Sequence, residues 1–259
     1  MTDNLFRPPL SRLVADRIRS EDQQKEGLPI DFAAYGFDWS GTISDDLLAA
    51  YAAAARRARV MGVDIEPTAL DWARHPASTP EAEILMKQAE KDAPPVIREM
   101  TPQRYRKMFE EMYVEIVSQR EKNTVNPLAP VPLPGAIEAL KKFKERVSLR
   151  RRPVFFFLLS ACPPSTLIKE VEEYGLTDFF DFGMFGSASD KQAILRKIAQ
   201  NFPDGSVVYV GDTIGDVDAA KRAGIKSAAV EGYHSMQMLL ERGPDFAYSS
   251  LASALGDRI

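Results

Sequence analysis

Residues 207–225 read VVYVGDTIGDVDAAKRAGI, an apolar run that leads through a short polar turn into an amphipathic segment. The apolar residues 206–210 predict a buried strand, and residues 213–223 predict a helix that stops at Gly224. Asp212 stands between the two, just beyond the carboxyl end of the strand. A buried strand that passes directly into a helix is typical of a parallel α/β sheet.

The same alternation of strands and helices continues on both sides of this stretch. Strands are predicted at 30–37, 153–160, 179–185, 206–210, 226–230 and 246–248, and helices at 136–147, 165–174, 189–201 and 213–223. We expect Gly175 to cap the second of these helices, and Ser189 with Gln192 to form a capping box at the start of the third. Continuous apolar strands between helices predict a doubly wound, Rossmann-like α/β core, with a parallel sheet covered on both faces.

The stretch after the first strand has a different pattern. Residues 47–123 are rich in Ala, Arg, Glu, Lys and Met, with apolar residues at helical spacing. The proline-rich residues 126–135 then lead back into the alternating pattern, as a stiff linker between domains would. We therefore predict an N-terminal extension (1–30) that includes a surface helix, a core (31–45 and 126–259) and an all-helical cap (46–125) inserted after the first strand.

Composition narrows the classes of function. The 259 residues are 45% hydrophobic and 27% charged, with a net charge of −4, which favours a globular protein without a nucleic-acid partner. A single cysteine and two histidines leave no disulfide framework and no site built on several histidines. No secretory signal or membrane-length apolar run is visible, so we expect a cytoplasmic protein with no membrane partner.

Four polar residues stand at the ends of predicted elements. Asp38, Ser160 and Asp212 follow strands, and Lys191 lies at the start of a helix. Ligands of open parallel sheets bind at the carboxyl ends of the strands. We therefore expect the four side chains to converge on one pocket, although each residue alone is more often a helix cap, a turn residue or a solvated surface group.

These positions carry a resemblance to a known family. The chain resembles the haloacid dehalogenase superfamily, and within it the phosphoglycolate-phosphatase-like branch, which has a helical cap between its first two motifs. The resemblance runs from about residue 33 to the C-terminus. It rests on FDWSGTISDD (37–46), the serine of FFFLLSACP, the lysine of SASDKQAIL and the stretch at 207–225.

The resemblance implies a role for each matching residue. Asp38 would be the nucleophile that forms an aspartyl-phosphate, and Lys191 would neutralise charge on it and on the phosphoryl group. Mg²⁺ would be held by Asp38, the backbone carbonyl of Ser40 and Asp212, while Asp216 would hold a metal-bound water or orient Lys191. Ser160 would donate to a phosphoryl oxygen. The remaining expected phosphate contacts are Trp39, Ser40, Thr42 and Ala161.

One position departs from the family pattern. Family phosphatases carry a second aspartate two residues after the nucleophile, and it serves as the general acid and base. Here that residue is Ser40, which cannot act as a carboxylate. Phosphonatases also lack this aspartate, but they use a cap lysine that forms a Schiff base; the candidates in this chain are Lys87, Lys91 and Lys107.

The sequence thus predicts a Mg²⁺-dependent phosphatase that acts on a small phosphorylated metabolite, as a monomer or homodimer. Two alternatives stay open. One is a phosphonatase-like hydrolase that cleaves a carbon–phosphorus bond. The other is a homologue that binds phosphate and metal but has lost turnover.

Overall fold

The computed structural model describes residues 27–46, 101–118, 129–150, 152–188 and 190–256, with positions 49–50, 52–53, 56 and 60. The strands are β1 (Ala34–Phe37), β2 (Ser44–Asp45), β3 (Val131–Pro132), β4 (Phe155–Leu159), β5 (Gly183–Phe185), β6 (Val207–Gly211), β7 (Lys226–Val230) and β8 (Phe246–Tyr248). The helices are α1 (Pro102–Ser118), α2 (Ala136–Ser148), α3 (Pro164–Glu173), α4 (Lys191–Ala199), α5 (Ile214–Ala223), α6 (Met236–Leu240) and α7 (Leu251–Leu255).

Six of these strands form one parallel sheet in the order β5-β4-β1-β6-β7-β8. Strand β1 is central, and Phe37 pairs with Leu158 of β4 on one side and with Val210 of β6 on the other. The three strands therefore end nearly level. The chain runs from β1 to one side of the sheet and later returns to its other side, which makes this edge the switch point where doubly wound folds bind ligands.

Side chains of the sheet alternate between two buried cores. Tyr35, Phe37 and Phe156 face the core that includes helix α2, whereas Phe157 and Tyr209 face the core that includes α4 and α5. All four residues of β1 are buried, as expected for a central strand covered on both faces.

Strand β1 also needs a residue without a side chain. A Cβ at Gly36 would lie 2.1 Å from the Phe157 ring of the neighbouring strand. Glycine at this position therefore allows the aromatic ring to lie across β1, in register with it.

A two-stranded antiparallel link lies next to the sheet. In it β2 pairs with β3 through Ser44 and Pro132, and Leu133 N donates to Ile43 O at 2.9 Å. This link joins the chain leaving β1 to the chain entering α2. It is therefore placed where the predicted cap would begin and end.

The structure confirms the predicted fold class and the order of the core elements, but three of the six predicted strands are shorter than expected. The predicted strand 30–37 begins only at Ala34, and the predicted strand 179–185 pairs only over Gly183–Phe185. Phe179 and Phe180 are buried in the connection between α3 and β5 instead. A strand ends where the neighbouring strand no longer provides N–H and C=O groups for hydrogen bonding. The apolar pattern of the sequence does not show where that happens.

Helix termini show a second difference. Gly175 adopts a positive φ of 65° just after α3, as expected of a terminating glycine. The capping box predicted at Ser189 falls on a residue outside the described part of the chain, whereas α4 begins at Lys191 and the Asp190 side chain accepts from Ala193 N. Two short C-terminal helices, α6 and α7, are not among the sequence predictions.

Much of the predicted extension and cap lies outside the described residues. This includes the surface helix predicted within residues 1–26, all of residues 61–100 and residues 119–128. Positions 49–50, 52–53, 56 and 60 are helical, as is α1. The division into extension, core and cap remains a prediction.

Candidate active site

Asp38 lies directly after β1 and is 4% exposed. Its Oδ2 lies 2.8 Å from Lys191 Nζ, and its Oδ1 accepts from Trp39 N at 2.8 Å. Lys191 Nζ also lies 2.7 Å from Asp216 Oδ1. One ammonium group therefore joins two buried carboxylates, one from the loop after β1 and one from the first turn of α5.

The start of α5 fixes Asp216. Thr213 is the N-cap residue, and its hydroxyl donates to Asp216 Oδ2 at 2.5 Å while its backbone N donates to the same atom at 3.1 Å. The backbone N of Asp216 donates in return to Thr213 Oγ1 at 3.2 Å, which completes a capping box and leaves Asp216 Oδ1 for Lys191.

Asp212 is fully buried at the end of β6. Its Oδ1 accepts from Thr42 Oγ1 at 2.9 Å and its Oδ2 from Tyr233 N at 2.7 Å. Gly41 allows this approach, because its φ is 73° and a Cβ there would lie 2.2 Å from Asp212 Oδ2. The loops after β1, β6 and β7 are thus tied together around one carboxylate.

Burial sets the protonation of these groups. It raises the pKa of Asp38 to about 7, against the opposing attraction of Lys191. Burial also raises the pKa of Asp212 well above its usual range, and the negative charges of Asp216 and Asp38 add to the effect. Burial disfavours the charge of Lys191, but the two carboxylates outweigh it and raise the pKa of this lysine.

The arrangement fits a divalent cation. Asp38, Asp212 and Asp216 each offer a carboxylate oxygen, and these atoms all lie within 4.8 Å of one another. With all three ionised, Lys191 compensates only one of the three charges, so two remain in a buried site. Mg²⁺ prefers such hard oxygen ligands. Burial disfavours ionisation of these carboxyl groups, and the positive charge of a bound Mg²⁺ would favour it.

The other predicted residues occupy the same edge with different surroundings. Ser160 is fully buried at the end of β4, and its Oγ accepts from Cys162 N at 3.1 Å. Ala161 follows it and is exposed. The Trp39 side chain instead packs toward α3, where its Nε1 donates to Glu170 Oε2 at 2.5 Å and its ring stacks on Tyr174.

Ser40 has a partner that the sequence predictions did not include. Its Oγ donates at 2.7 Å to Oδ2 of Asp46, a carboxyl group that also accepts from the hydroxyls of Tyr113 and Tyr233. Burial raises the pKa of Asp46, while the three hydroxyl donors oppose that effect. No signal in the sequence distinguishes Asp46 from its exposed neighbour Asp45, because the donors that surround Asp46 come from the loop after β1, from α1 and from the loop after β7.

The candidate Schiff-base lysines receive no structural support in the described part of the chain. Lys107 lies on α1 with its side chain 75% exposed, 3.8 Å from Glu111. Lys87 and Lys91 lie outside the described residues. No helix among the described residues has the length and apolarity needed to cross a bilayer.

Solved structures resemble this fold at low sequence identity. A haloacid dehalogenase-like hydrolase from Streptococcus pneumoniae is 18% identical, with 88% of this chain and 98% of that chain covered and a TM-score of 0.65. A protein named as a predicted phosphoglycolate phosphatase from Haemophilus somnus 129pt is 19% identical, with 87% and 97% covered and a TM-score of 0.62. A hydrolase from Pseudomonas syringae is 14% identical, with 86% and 96% covered and a TM-score of 0.64.

A comparison of the amino-acid sequence with protein-family models finds a match over most of the core. No curated protein matches the chain. Residues 32–224, however, match the sequence model of the haloacid dehalogenase-like hydrolases, and this range includes Asp38, Ser160, Lys191, Asp212 and Asp216. With the parallel sheet and the acidic cluster at its switch point, this match shows that the chain belongs to the haloacid dehalogenase-like hydrolase family.

Proposed function

We propose that the protein is a Mg²⁺-dependent phosphatase that acts on a small phosphorylated metabolite, with Asp38 as the nucleophile. The observation that carries the proposal is the position of Asp38, buried at the end of the central strand. It lies 2.8 Å from Lys191 and shares an acidic cluster with Asp212 and Asp216. Several structural relatives bear names of phosphatases, which supports this class of substrate.

The chemistry follows from the donors and acceptors in the site. Asp38 Oδ would attack phosphorus, a P–O bond would form, and the electron pair of the breaking P–O bond would leave with the substrate alkoxide, which would take a proton from water because Ser40 cannot serve as a carboxylic acid. Lys191 would favour the ionised Asp38 and offset charge on the phosphoryl oxygens. Water would then hydrolyse the aspartyl-phosphate, releasing inorganic phosphate and regenerating Asp38.

The remaining residues would bind and orient. Asp38, the Ser40 carbonyl and Asp212 would hold Mg²⁺, with Asp216 beside them, and the bound ion would supply positive charge to the phosphoryl group. Ser160 would donate to a phosphoryl oxygen. Residues 46–125 would form a helical cap above this edge, which excludes water and favours small substrates.

Phosphate release from a panel of small phosphate esters tests the proposal, with and without Mg²⁺. We expect Mg²⁺-dependent release by the wild type and a loss of about 10³-fold or more in Asp38→Asn. Asp204→Asn is the matched control, because Asp204 is exposed in the turn before β6. Its rate should equal that of the wild type.

Other results would point to the alternatives. A phosphonoacetaldehyde adduct trapped on a cap lysine by borohydride would favour a phosphonatase. Binding of Mg²⁺ and phosphate by a wild type that releases none from any ester would favour a homologue without turnover. Equal release by wild type and Asp38→Asn would contradict the role of Asp38.

A further inference from the structure

Asp46 is a buried carboxyl group at the point where the chain leaves β2. It is 3% exposed, whereas the preceding residue, Asp45, is exposed. Its Oδ2 accepts from Ser40 Oγ and from Tyr113 OH, both at 2.7 Å, and its Oδ1 accepts from the Tyr233 hydroxyl. Two carboxyl oxygens thus collect three hydroxyl donors in a site closed to solvent.

The three donors come from parts of the chain that are distant in sequence. Ser40 belongs to the loop after β1, Tyr113 to helix α1, and Tyr233 to the loop after β7. Tyr233 also donates its backbone N to Asp212 Oδ2 at 2.7 Å. Asp46 is therefore linked to the candidate metal ligand Asp212 through a single residue, Tyr233, and it contacts Ser40 directly.

Helix α1 makes a second polar contact with this edge of the sheet. Ser187 Oγ donates to Glu110 Oε1 at 3.0 Å. Glu110 and Tyr113 are three residues apart, which places them on the same face of the helix. Ser187 lies in the loop that leads from β5 to Lys191. One face of α1 thus contacts Asp46 on one side and Ser187 on the other, and Asp46 in turn accepts from the loops after β1 and β7.

We propose that Asp46 is a positioning residue that sets the docked position of helix α1 over the active-site loops and fixes the Ser40 side chain. Its carboxyl group is the common acceptor that no hydroxyl in the cluster can replace, because a phenol or a serine hydroxyl offers only one oxygen. The kinetic part of this inference rests on the proposed phosphatase function, whereas the docking of α1 does not.

Amide hydrogen exchange tests the docking. In Asp46→Asn, an amide replaces one of the two acceptor oxygens, so we expect exchange in peptides from residues 102–118 to accelerate about tenfold. Peptides from β6 should keep their wild-type protection. The matched control is Asp45→Asn, which changes an exposed neighbour and should leave both regions unchanged. Exchange in α1 that is the same in wild type and Asp46→Asn would overturn the inference.

A double-mutant cycle separates positioning from a general loss of stability. We expect Asp46→Asn and Tyr113→Phe each to lower kcat/KM by about tenfold. The double variant should be within about twofold of Asp46→Asn, because the hydroxyl has already lost its acceptor. Losses that multiply would contradict the shared contact. If Asp46→Asn does not fold, Tyr113→Phe alone must still accelerate exchange in α1.

The two proposals can fail separately. A wild type without phosphate release would contradict the phosphatase function and leave the exchange experiment to decide the role of Asp46. Normal phosphate release with unchanged exchange and additive kinetics would contradict only the role of Asp46.

Discussion

At the scale of single residues, Ser40 is where this chain departs from the pattern it resembles. The sequence shows the missing carboxylate, and the structure shows another carboxylate close by, because Ser40 Oγ donates to Asp46 Oδ2 at 2.7 Å. An aspartate at position 40 would therefore stand against a buried carboxyl group. Replacing Ser40 with the aspartate of the family pattern should therefore lower the stability of the fold, which the motif alone does not indicate.

We expect Ser40→Asp to lower the free energy of unfolding by about 1–3 kcal/mol at pH 7, since two carboxyl groups in a buried contact disfavour each other's ionisation. Ser40→Asn, which has the same shape without the charge, should cost less. Ser40→Asp combined with Asp46→Ser exchanges the two groups and should recover most of the loss. Urea unfolding measures all three, and equal midpoints for Ser40→Asp and Ser40→Asn would contradict the repulsion.

At the scale of elements, helix α3 is joined to the link between core and predicted cap through Glu170. This residue is 2% exposed, and its Oε2 accepts from Trp39 Nε1 at 2.5 Å and from Ser44 Oγ at 3.3 Å. Its Oε1 has no hydrogen-bond partner in the described part of the chain. Burial raises the pKa of Glu170 to about 7, from an ordinary value near 4.5.

This raised pKa predicts a pH-dependent stability. Between about pH 4.5 and 7 the folded protein retains the proton of Glu170 while the unfolded chain has lost it, so stability falls as the pH rises through this window. Glu170→Gln mimics the protonated side chain. Between these two pH values, the free energy of unfolding of the wild type should fall by roughly 3 kcal/mol relative to that of Glu170→Gln.

Urea unfolding of both proteins at pH 4.5, 6 and 8 measures the effect. Glu172→Gln is the control, because Glu172 is exposed on the same helix. A stability difference between wild type and Glu170→Gln that stays constant with pH would show that the pKa of Glu170 is the same in the folded and the unfolded protein, which would contradict the prediction.

At the scale of the whole molecule, the parallel sheet gathers negative charge at one edge. Three buried carboxylates and one lysine leave that edge acidic when all are ionised. A cation that binds the folded protein but not the unfolded chain stabilises it by mass action.

We therefore expect Mg²⁺ at about one hundred times its Kd to stabilise the protein by about 2.7 kcal/mol and to raise Tm. Asp212→Asn should abolish this increase, because it removes a ligand charge from the cluster. Asp204→Asn, at an exposed site, should retain it. Scanning calorimetry with EDTA and with added Mg²⁺ checks the expectation, and an equal Tm for the wild type in both buffers would contradict a metal site.

Local sequence patterns are enough to predict the alternation of strands and helices and the positions of Asp38, Ser160, Lys191 and Asp212 at the ends of elements. These features depend on local apolar patterns and on motifs a few residues long. Parallel strands then bring such positions to one edge whatever the details of packing.

The ends of the strands and the surroundings of Asp46 depend on contacts between distant segments of the folded chain. Its three hydroxyl donors are 6, 67 and 187 residues away along the chain, and no local pattern relates such positions. The same holds for Trp39, whose ring packs against α3 because Glu170, 131 residues away, offers a buried acceptor. A buried polar group takes whatever partner the fold brings to it, and that choice is made by packing between distant segments.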